Sequence, residues 1–168
     1  SIGVSGGNPS ITNPGGCIPR AIDNIFFDGN SFTGVGDSVK LNVDGNCKNM
    51  FWSWGVVAFS PVFSGVSTSN LNVYGSLEFS ANLNVSFNGM LNMLGNDTLI
   101  NSQSIKFNGT IVPFGLNLNG GGRYDLLDSI TSIQSAPGVI GYRGFKLNNG
   151  KLYTHGYNVS YRGIVLNV

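Results

Sequence analysis

SFNGMLNMLG (Ser86–Gly95) and KFNGTIVPFG (Lys106–Gly115) carry nearly the same phrase twenty residues apart. The same interval separates four glycines, each preceded by a large apolar residue: Gly55, Gly75, Gly95 and Gly115. A fixed period of about twenty residues is typical of solenoids, in which each repeat forms one coil. The spacing therefore predicts that residues one coil apart stack on each other.

The residues within each repeat favour strands over helices. Short runs of β-branched and aromatic residues alternate with polar ones and are punctuated by Gly and Asn-Gly. The best helical candidate, RYDLLDSITSIQS from Arg123 to Ser135, is rich in Thr, Ser and Ile, which are poor helix formers, so we predict strand or turn there. We therefore predict an all-β chain that forms a parallel β-helix with coils of about twenty residues. A β-sandwich or jelly roll is the alternative, because it also has short strands at regular spacing.

A second phrase recurs as LNVDG, LNVYG, LNMLG and LNLNG, beginning at Leu41, Leu71, Leu91 and Leu116. In a strand, alternate residues point to opposite faces, so Leu is expected to face the core and Asn the solvent. Stacked Asn side chains can pair their amides from coil to coil. The copy at Leu116 is about five positions out of step with the twenty-residue period, which predicts a loop or a change of coil length before it.

The chain divides into three parts on this interpretation. Residues 1–20 are rich in Gly, Pro and Ser and predict an irregular lead-in, and residues 21–122 hold the coils. In residues 123–168 the period weakens, and Asn148-Asn149-Gly150 is typical of a hairpin turn. Because an open solenoid end exposes strand edges, we predict a C-terminal β-hairpin that caps it.

Composition narrows the function classes. Only 10% of the 168 residues are charged and the net charge is +1, which offers no basic surface for phosphates and argues against nucleic acid as a partner. Neutral, Asn- and Gly-rich polarity is more usual in exported proteins, so we expect a secreted or surface location. Cys17 and Cys47 lie beside turn residues and predict one disulfide, with two free thiols as the alternative.

The coils and the C-terminal part of the chain resemble a known protein family. Coils rich in Asn and Gly, followed by RYDLLDSI (Arg123–Ile130) and YTHGYNVSYRGIVLNV (Tyr153–Val168), resemble the C-terminal part of bacterial type V autotransporter passengers. FNG phrases in an Asn-rich context and a Cys pair are similar to the vacuolating-cytotoxin-like subfamily. The resemblance implies a right-handed β-helix at the bacterial outer membrane or released from it, working as an adhesin or toxin in host-cell contact. A host-cell receptor or glycan would be the partner, self-association would accompany it, and a membrane barrel outside this sequence would be the only link to the membrane.

The residue patterns typical of enzyme active sites are incomplete in this sequence. Gly36-Asp37-Ser38 resembles the nucleophile block of SGNH esterases. Those enzymes also need an Asp three residues before the catalytic His, but here that position before His155 is occupied by Leu152. The closest acidic pair, Asp125 and Asp128, has an odd spacing that sends the two side chains to opposite faces of a strand. We therefore predict a non-enzymatic protein with no catalytic residue, no cofactor and no metal.

The aromatic stretch MFWSWGVVAF (Met50–Phe59) is the candidate binding segment. Trp52 and Trp54 share one face of a strand, which either fills the core or stacks on sugars. The twenty-residue register of Trp54 with Tyr74, Leu94 and Phe114 favours the core. The predicted ligand-binding residues are Trp52, Tyr142 and Tyr157, and a carbohydrate-binding or phage-spike-type protein is the alternative function.

Overall fold

A computed structural model describes residues 19–52, 60–96, 102–133 and 144–166. All regular structure in these ranges consists of short strands, and no helix occurs in them. The first nine strands are β1 (Asn24–Phe27), β2 (Ser38–Leu41), β3 (Gly45–Cys47), β4 (Asn49–Trp52), β5 (Val62–Gly65), β6 (Asn70–Val73), β7 (Leu77–Glu78), β8 (Asn84–Val85) and β9 (Met90–Met93). The next nine are β10 (Gln103–Lys106), β11 (Ile111–Val112), β12 (Gly115–Leu118), β13 (Arg123–Leu126), β14 (Ile130–Ser132), β15 (Phe145–Leu147), β16 (Lys151–Tyr153), β17 (Val159–Ser160) and β18 (Ile164–Leu166).

Every third strand joins the same face of a stacked coil. The first face is a six-stranded sheet in the order β1-β4-β7-β10-β13-β16, and the third face is a six-stranded sheet in the order β3-β6-β9-β12-β15-β18. The second face consists of two three-stranded sheets, β2-β5-β8 and β11-β14-β17. Every pairing is parallel. The predicted parallel β-solenoid is therefore confirmed.

The coil length differs from the predicted period of twenty. On the third face, paired residues lie 20 apart from Leu71 to Leu91, 25 apart from Leu91 to Leu116, 29 apart from Leu116 to Phe145 and 19 apart from Phe145 to Ile164. The first pairing on the first face, Asn24 with Asn49, gives a step of 25. Most coils are therefore longer than predicted, and they are unequal, because the corners vary in length while the strands stay aligned.

This variation changes which repeated residues stack. Val73 pairs with Met93, so Gly75 and Gly95 lie one coil apart as predicted, but Gly115 pairs with Met90 and is not the next member of that row. A Cβ added to Gly120 would collide with the Gly95 carbonyl oxygen, which places Gly120 directly over Gly95. The predicted row of four glycines is therefore wrong at Gly115, and Gly55 lies outside the described residues.

The opening FNG phrases do not stack on each other either. Phe87 follows β8 on the second face, whereas Phe107 follows β10 on the first. Each ring instead packs against a residue one coil away, Phe87 on Phe63 at 5.1 Å and Phe107 on Phe79 at 5.2 Å between ring centroids. The two phrases resemble each other because both place an aromatic ring at a corner of the same core.

Three of the four LN phrases, in contrast, mark the third face. Leu71, Leu91 and Leu116 stack in one fully buried row, as predicted. The copy at Leu41 belongs to β2 instead, and Gly45 takes the place of leucine in the first coil. A Cβ on Gly45 would lie 2.8 Å from Leu41 Cδ1, so the Leu41 side chain occupies the space that the glycine leaves.

An asparagine ladder follows the outside of the third face. Side-chain amides donate from one coil to the previous side-chain oxygen at 3.2, 2.9, 3.0 and 2.8 Å, through Asn46, Asn72, Asn92, Asn117 and Asn148. All four bonds point the same way along the stack. The predicted pairing of Asn amides is confirmed on this face.

An aromatic column fills the first half of the core. Trp52 is 1% exposed and packs on Phe27 at 4.0 Å and on Phe79 at 6.3 Å between ring centroids. Phe32, from the corner between β1 and β2, stacks on Trp52 with only 8° between the ring planes. The column thus fills this part of the interior with closely packed rings.

The C-terminal part continues the coils instead of forming a hairpin. β15 pairs with β12 and β18 on the third face, while β16 pairs with β13 on the first, so Asn148-Asn149-Gly150 is a corner between faces. Gly150 has φ +98°, and a Cβ there would lie 2.5 Å from the Gly122 carbonyl oxygen. The corner is thus packed tightly against the coil before it, which only glycine permits. The predicted hairpin cap is wrong, because residues 145–166 add a further coil.

Candidate functional site

The outer surface of the first face is one of two surfaces that follow a six-stranded sheet along the described chain, the third face being the other. Its central row runs through polar side chains that are bonded from coil to coil. Asn49 donates its amide to Asn24 Oδ1 (2.7 Å) and accepts from the Ser76 backbone N–H (2.6 Å), and Ser76 Oγ accepts from the Ser104 N–H (3.0 Å). The row continues to Asp125 and Tyr153.

A stacked aromatic pair, of which one ring is exposed and the other partly buried, lies at the N-terminal end of this surface. Phe26 and Phe51 are direct partners of β1 and β4, and their rings stack at 5.4 Å with 22° between their planes. Phe26 is 58% exposed. The pair therefore offers a partly exposed apolar surface for hydrophobic contact.

A charged pair occupies the middle. Lys106 Nζ lies 3.1 Å from Glu78 Oε1, and each side chain is about one third exposed. The Asn108 side chain donates to the Phe79 carbonyl (2.7 Å) and approaches the same carboxylate at 3.4 Å. These contacts hold two neighbouring coils together and leave part of the charge available to a partner.

An ionic cluster around Asp125 occupies the C-terminal end. The Asp125 residue is 5% exposed, and its carboxylate accepts two bonds from Arg123 Nε and Nη2 at 3.1 and 3.0 Å. His155 Nε2 lies 2.7 Å from Oδ1 of the same carboxylate. The Arg123 guanidinium also lies 4.2 Å above the Tyr153 ring. The Asp125 cluster therefore fastens the corner after β16 to β13, one coil earlier.

Electrostatics keep this carboxylate ionised. Burial raises the pKa of Asp125, but hydrogen bonds from Arg123, Ser102 and His155 outweigh it and lower the pKa to about 2. His155 has φ +51°, a left-handed conformation that non-glycine residues adopt at a cost. The bond to Asp125 helps to hold this conformation.

The cluster lacks the arrangement of a hydrolytic triad. Such a triad needs the imidazole between serine and carboxylate, so that it can take the serine proton. Here Asp125 lies between His155 and Ser102, because both side chains bond to the carboxylate. Ser102 therefore has a hydrogen-bond acceptor but no base among the described contacts.

The other acidic candidates serve turns. Asp128 accepts the Phe107 backbone N–H at 3.0 Å from the neighbouring coil. Asp37 accepts the backbone N–H groups of Thr33 and Gly34, and these bonds lower its pKa. The Gly36-Asp37-Ser38 block is therefore a corner, with Gly36 at φ +86°.

The predicted ligand-binding residues are not brought together. Trp52 is buried in the aromatic column, so the prediction that it forms an exposed platform is wrong, because its row faces the core. Tyr157 is 43% exposed in the corner after β16, whereas Tyr142 and Trp54 lie outside the described residues.

The predicted disulfide is also not found. Cys47 carries a free thiol at 0% exposure on the inward row of the third face, where it pairs with Val73. Burial raises the pKa of the Cys47 thiol to about 12. Cys17 lies outside the described residues.

Three further results concern metal ions, membrane-spanning helices and related proteins. In the part of the chain that the structure describes, no group of three or more His, Cys, Asp or Glu side chains could hold a metal ion. None of the described residues lies in a helix able to cross a lipid bilayer. Comparisons with protein-family models, with curated proteins and with solved structures gave no match.

Proposed function

We propose that this chain is a non-enzymatic β-solenoid module of a secreted or surface-displayed bacterial protein, which makes contact with host cells as autotransporter passengers do. The observation that carries the proposal is the outer surface of the first face, which extends without interruption from β1 to β16. A surface of this kind meets a partner over several coils instead of enclosing a small molecule in a cleft. The Asn- and Gly-rich composition and the C-terminal phrases support the autotransporter assignment.

The hydrogen bonds made by two acidic residues, Asp125 and Asp128, support a role without catalysis. Asp125 is bonded to Arg123 and His155, and Asp128 to the Phe107 backbone, so neither is placed as a general acid or base. A glycosidase would instead need two carboxyl groups facing one substrate across roughly 5 to 10 Å. The module would work by recognition and as a rigid shaft.

The stacked pair of exposed Phe26 and partly buried Phe51 is the proposed hydrophobic contact with the host-cell receptor. The test is saturable binding of fluorescently labelled protein to cultured mammalian cells, comparing the wild type with a double variant, Phe26→Ser and Phe51→Ser. Ile111→Ser is the matched control, because Ile111 is 50% exposed but belongs to β11 on the second face. We expect the double variant to bind less and the control to bind normally; equal binding by all three proteins would overturn the assignment of this surface.

The autotransporter assignment has a separate test in the gene. The coding sequence downstream of Val168 is expected to specify an outer-membrane barrel. A gene without one would contradict this family assignment and leave the recognition module in place.

A glycan-binding protein is the second candidate, and the exposure of Tyr157 and Tyr153 on the last coil favours it. Exposed tyrosines stack on sugars and donate hydrogen bonds. A glycan array that shows selective binding, lost in Tyr157→Ala and kept in the Phe26 and Phe51 variant, would replace the protein receptor by a sugar. An array without selective binding would remove this candidate.

A further inference from the structure

Two positively charged side chains lie next to each other on the outside of the first face. Arg123 begins β13 and pairs with Lys151, the first residue of β16. Each is followed by an inward residue, Tyr124 or Leu152, so both charged side chains point away from the core. Arg123 and Lys151 are exposed. Since adjacent strands lie about 4.8 Å apart, both cations can contact the same bound group.

The Arg123 guanidinium is held in place from two sides. Its Nε and Nη2 atoms donate to the Asp125 carboxylate at 3.1 and 3.0 Å, and its Cζ lies 4.2 Å from the centre of the Tyr153 ring. Asp125 is itself fixed, because it is 5% exposed and His155 Nε2 lies 2.7 Å from its Oδ1. A side chain that is already ordered loses little conformational freedom when a ligand binds. Arg123 is therefore preorganised for binding.

The remaining N–H groups of Arg123 have no acceptor within the described ranges. A guanidinium has five N–H donors, and the bonds from Nε and Nη2 to Asp125 use two of them, so three remain. These three belong to the planar fork that binds carboxylate and phosphate-like groups through paired hydrogen bonds. Lys151 forms no ion pair with a described carboxylate either. The two side chains thus offer free donors to a ligand.

The charges at this place favour an anion. Arg123 and Lys151 carry two positive charges, and the one negative charge of Asp125 is already bonded to Arg123 and His155. An anion between the two cations would be attracted to both. The net charge of the chain is only +1, so this attraction is local to the pair and does not extend over the whole surface.

An exposed aromatic ring lies near the two cations. Tyr157 is 43% exposed and belongs to the same corner as His155, whose ring stacks on Tyr153 with the centroids 6.5 Å apart. A tyrosine ring offers an apolar face and a hydroxyl group, and both suit the C–H and O–H groups of a sugar. A polynucleotide would instead need a longer row of cations for its phosphates. The surroundings therefore favour an anionic sugar as the ligand.

We propose that Arg123 and Lys151 bind the sulfate or carboxylate group of an acidic saccharide, with the sugar ring against Tyr157. The proposal rests on the glycan candidate for the function of this chain and specifies the chemical class of the glycan. It does not involve the Phe26 and Phe51 contact at the other end of the first face.

Paired oligosaccharides test the charge of the ligand. Each pair differs only in one sulfate or one carboxylate group, and binding to the wild-type protein is measured by isothermal titration calorimetry. We expect the charged member of a pair to bind at least about tenfold more tightly than the neutral one, and its affinity to fall as the salt concentration rises. The sulfate and carboxylate pairs distinguish the two sources of the anionic group.

The outcomes separate this proposal from the glycan candidate. Equal binding of charged and neutral saccharides would overturn the anion site and leave the glycan candidate in place. No binding of any saccharide would overturn both. Binding to vesicles that contain an anionic phospholipid, without binding to saccharides, would assign the cations to a lipid surface and also overturn the proposal.

Lys151→Gln tests the first cation without touching the ionic cluster. We expect it to weaken binding of the charged saccharide by about threefold, as for an exposed ion pair. Lys40→Gln is the matched control, because Lys40 is also exposed and the same charge is lost, but β2 belongs to the second face. Equal loss in the two variants would show that only the net charge matters and would refute the site.

A double variant tests the second cation at constant net charge. Arg123→Gln with Asp125→Asn removes one positive and one negative charge, so the net charge stays at +1. We expect binding of the charged saccharide to weaken at least about tenfold, because the paired hydrogen bonds of the guanidinium are lost. Circular dichroism checks the fold of this variant. Unchanged affinity in the folded double variant would contradict the role of Arg123, and the Lys151→Gln comparison decides the proposal if the double variant does not fold.

Discussion

Asn92→Ala tests the asparagine ladder where it is most connected. Asn92 donates to Asn72 at 2.9 Å and accepts from Asn117 at 3.0 Å, so the substitution removes two hydrogen bonds. A hydrogen bond contributes about 0.5 to 1.5 kcal/mol net, which gives a loss of roughly 1 to 3 kcal/mol in the free energy of unfolding. The upper half of this range is expected, because the freed groups of the two neighbours are partly buried.

Asn46→Ala is the matched control. Asn46 also lies on the outside of the third face and is partly buried, but it only accepts one ladder bond, from Asn72 at 3.2 Å. Its loss should therefore cost roughly 0.5 to 1.5 kcal/mol, about half the cost at Asn92. Urea unfolding followed by circular dichroism measures both values. Equal costs at the two positions would refute the reasoning, since strand propensity alone, and not the ladder, would then explain the effect.

Three other measurements follow from the core and the ionic cluster. Trp52→Ala should lower the free energy of unfolding by about 3 to 5 kcal/mol, because it empties the centre of the aromatic column; a loss below ~1 kcal/mol in urea unfolding would contradict that packing. Cys47, with a pKa raised to about 12, should react with a thiol reagent only after unfolding. A Cys17→Ser protein is used so that only the Cys47 thiol is measured. Rapid labelling of the native chain would show that the Cys47 site is open to the reagent. Asp125 has a pKa lowered from 3.8 to about 2, so its contribution is present above pH 3.8 and is lost as the pH falls through 2. That shift corresponds to at most ~2 kcal/mol, because Arg123 and His155 are half exposed. The stability difference between wild type and Asp125→Asn should shrink across this acid window, and a difference that stays constant with pH would argue against the ion pairs.

The sequence was informative about the fold where one pattern combined two signals. In the LN phrases of the third face, leucine marks the inward direction and asparagine the outward one, so Leu71, Leu91 and Leu116 reveal both strand and stacking. The glycine spacing, in contrast, indicated only the length of the repeat and not the direction of the side chains. Since corners can lengthen by several positions while strands remain aligned, a fixed period holds from Gly75 to Gly95 and fails at Gly115.

The functional residues were harder to predict for a related physical reason. Asp125 lies beside His155 because β13 pairs with β16, with Arg123 opposite Lys151. This pairing joins residues 28 positions apart, and a constant repeat length of twenty does not predict it. Trp52 was ambiguous because an alternating strand pattern assigns residues to two faces without saying which one is inside. The direction becomes clear only from Phe27 and Phe79, which cover the tryptophan from adjacent coils.

The unequal corners have a practical consequence for engineering. The number of residues per coil differs widely, for example between the coil from Leu116 to Phe145 and the coil from Phe145 to Ile164. The third face nevertheless keeps a strand in each of these coils. Since longer loops add only a small entropic cost of closure, a foreign peptide epitope grafted at a corner such as the one between β1 and β2 should cost little stability. Epitopes placed at successive corners would be displayed at intervals of about 5 Å along the column, in a row set by the stacking of the coils.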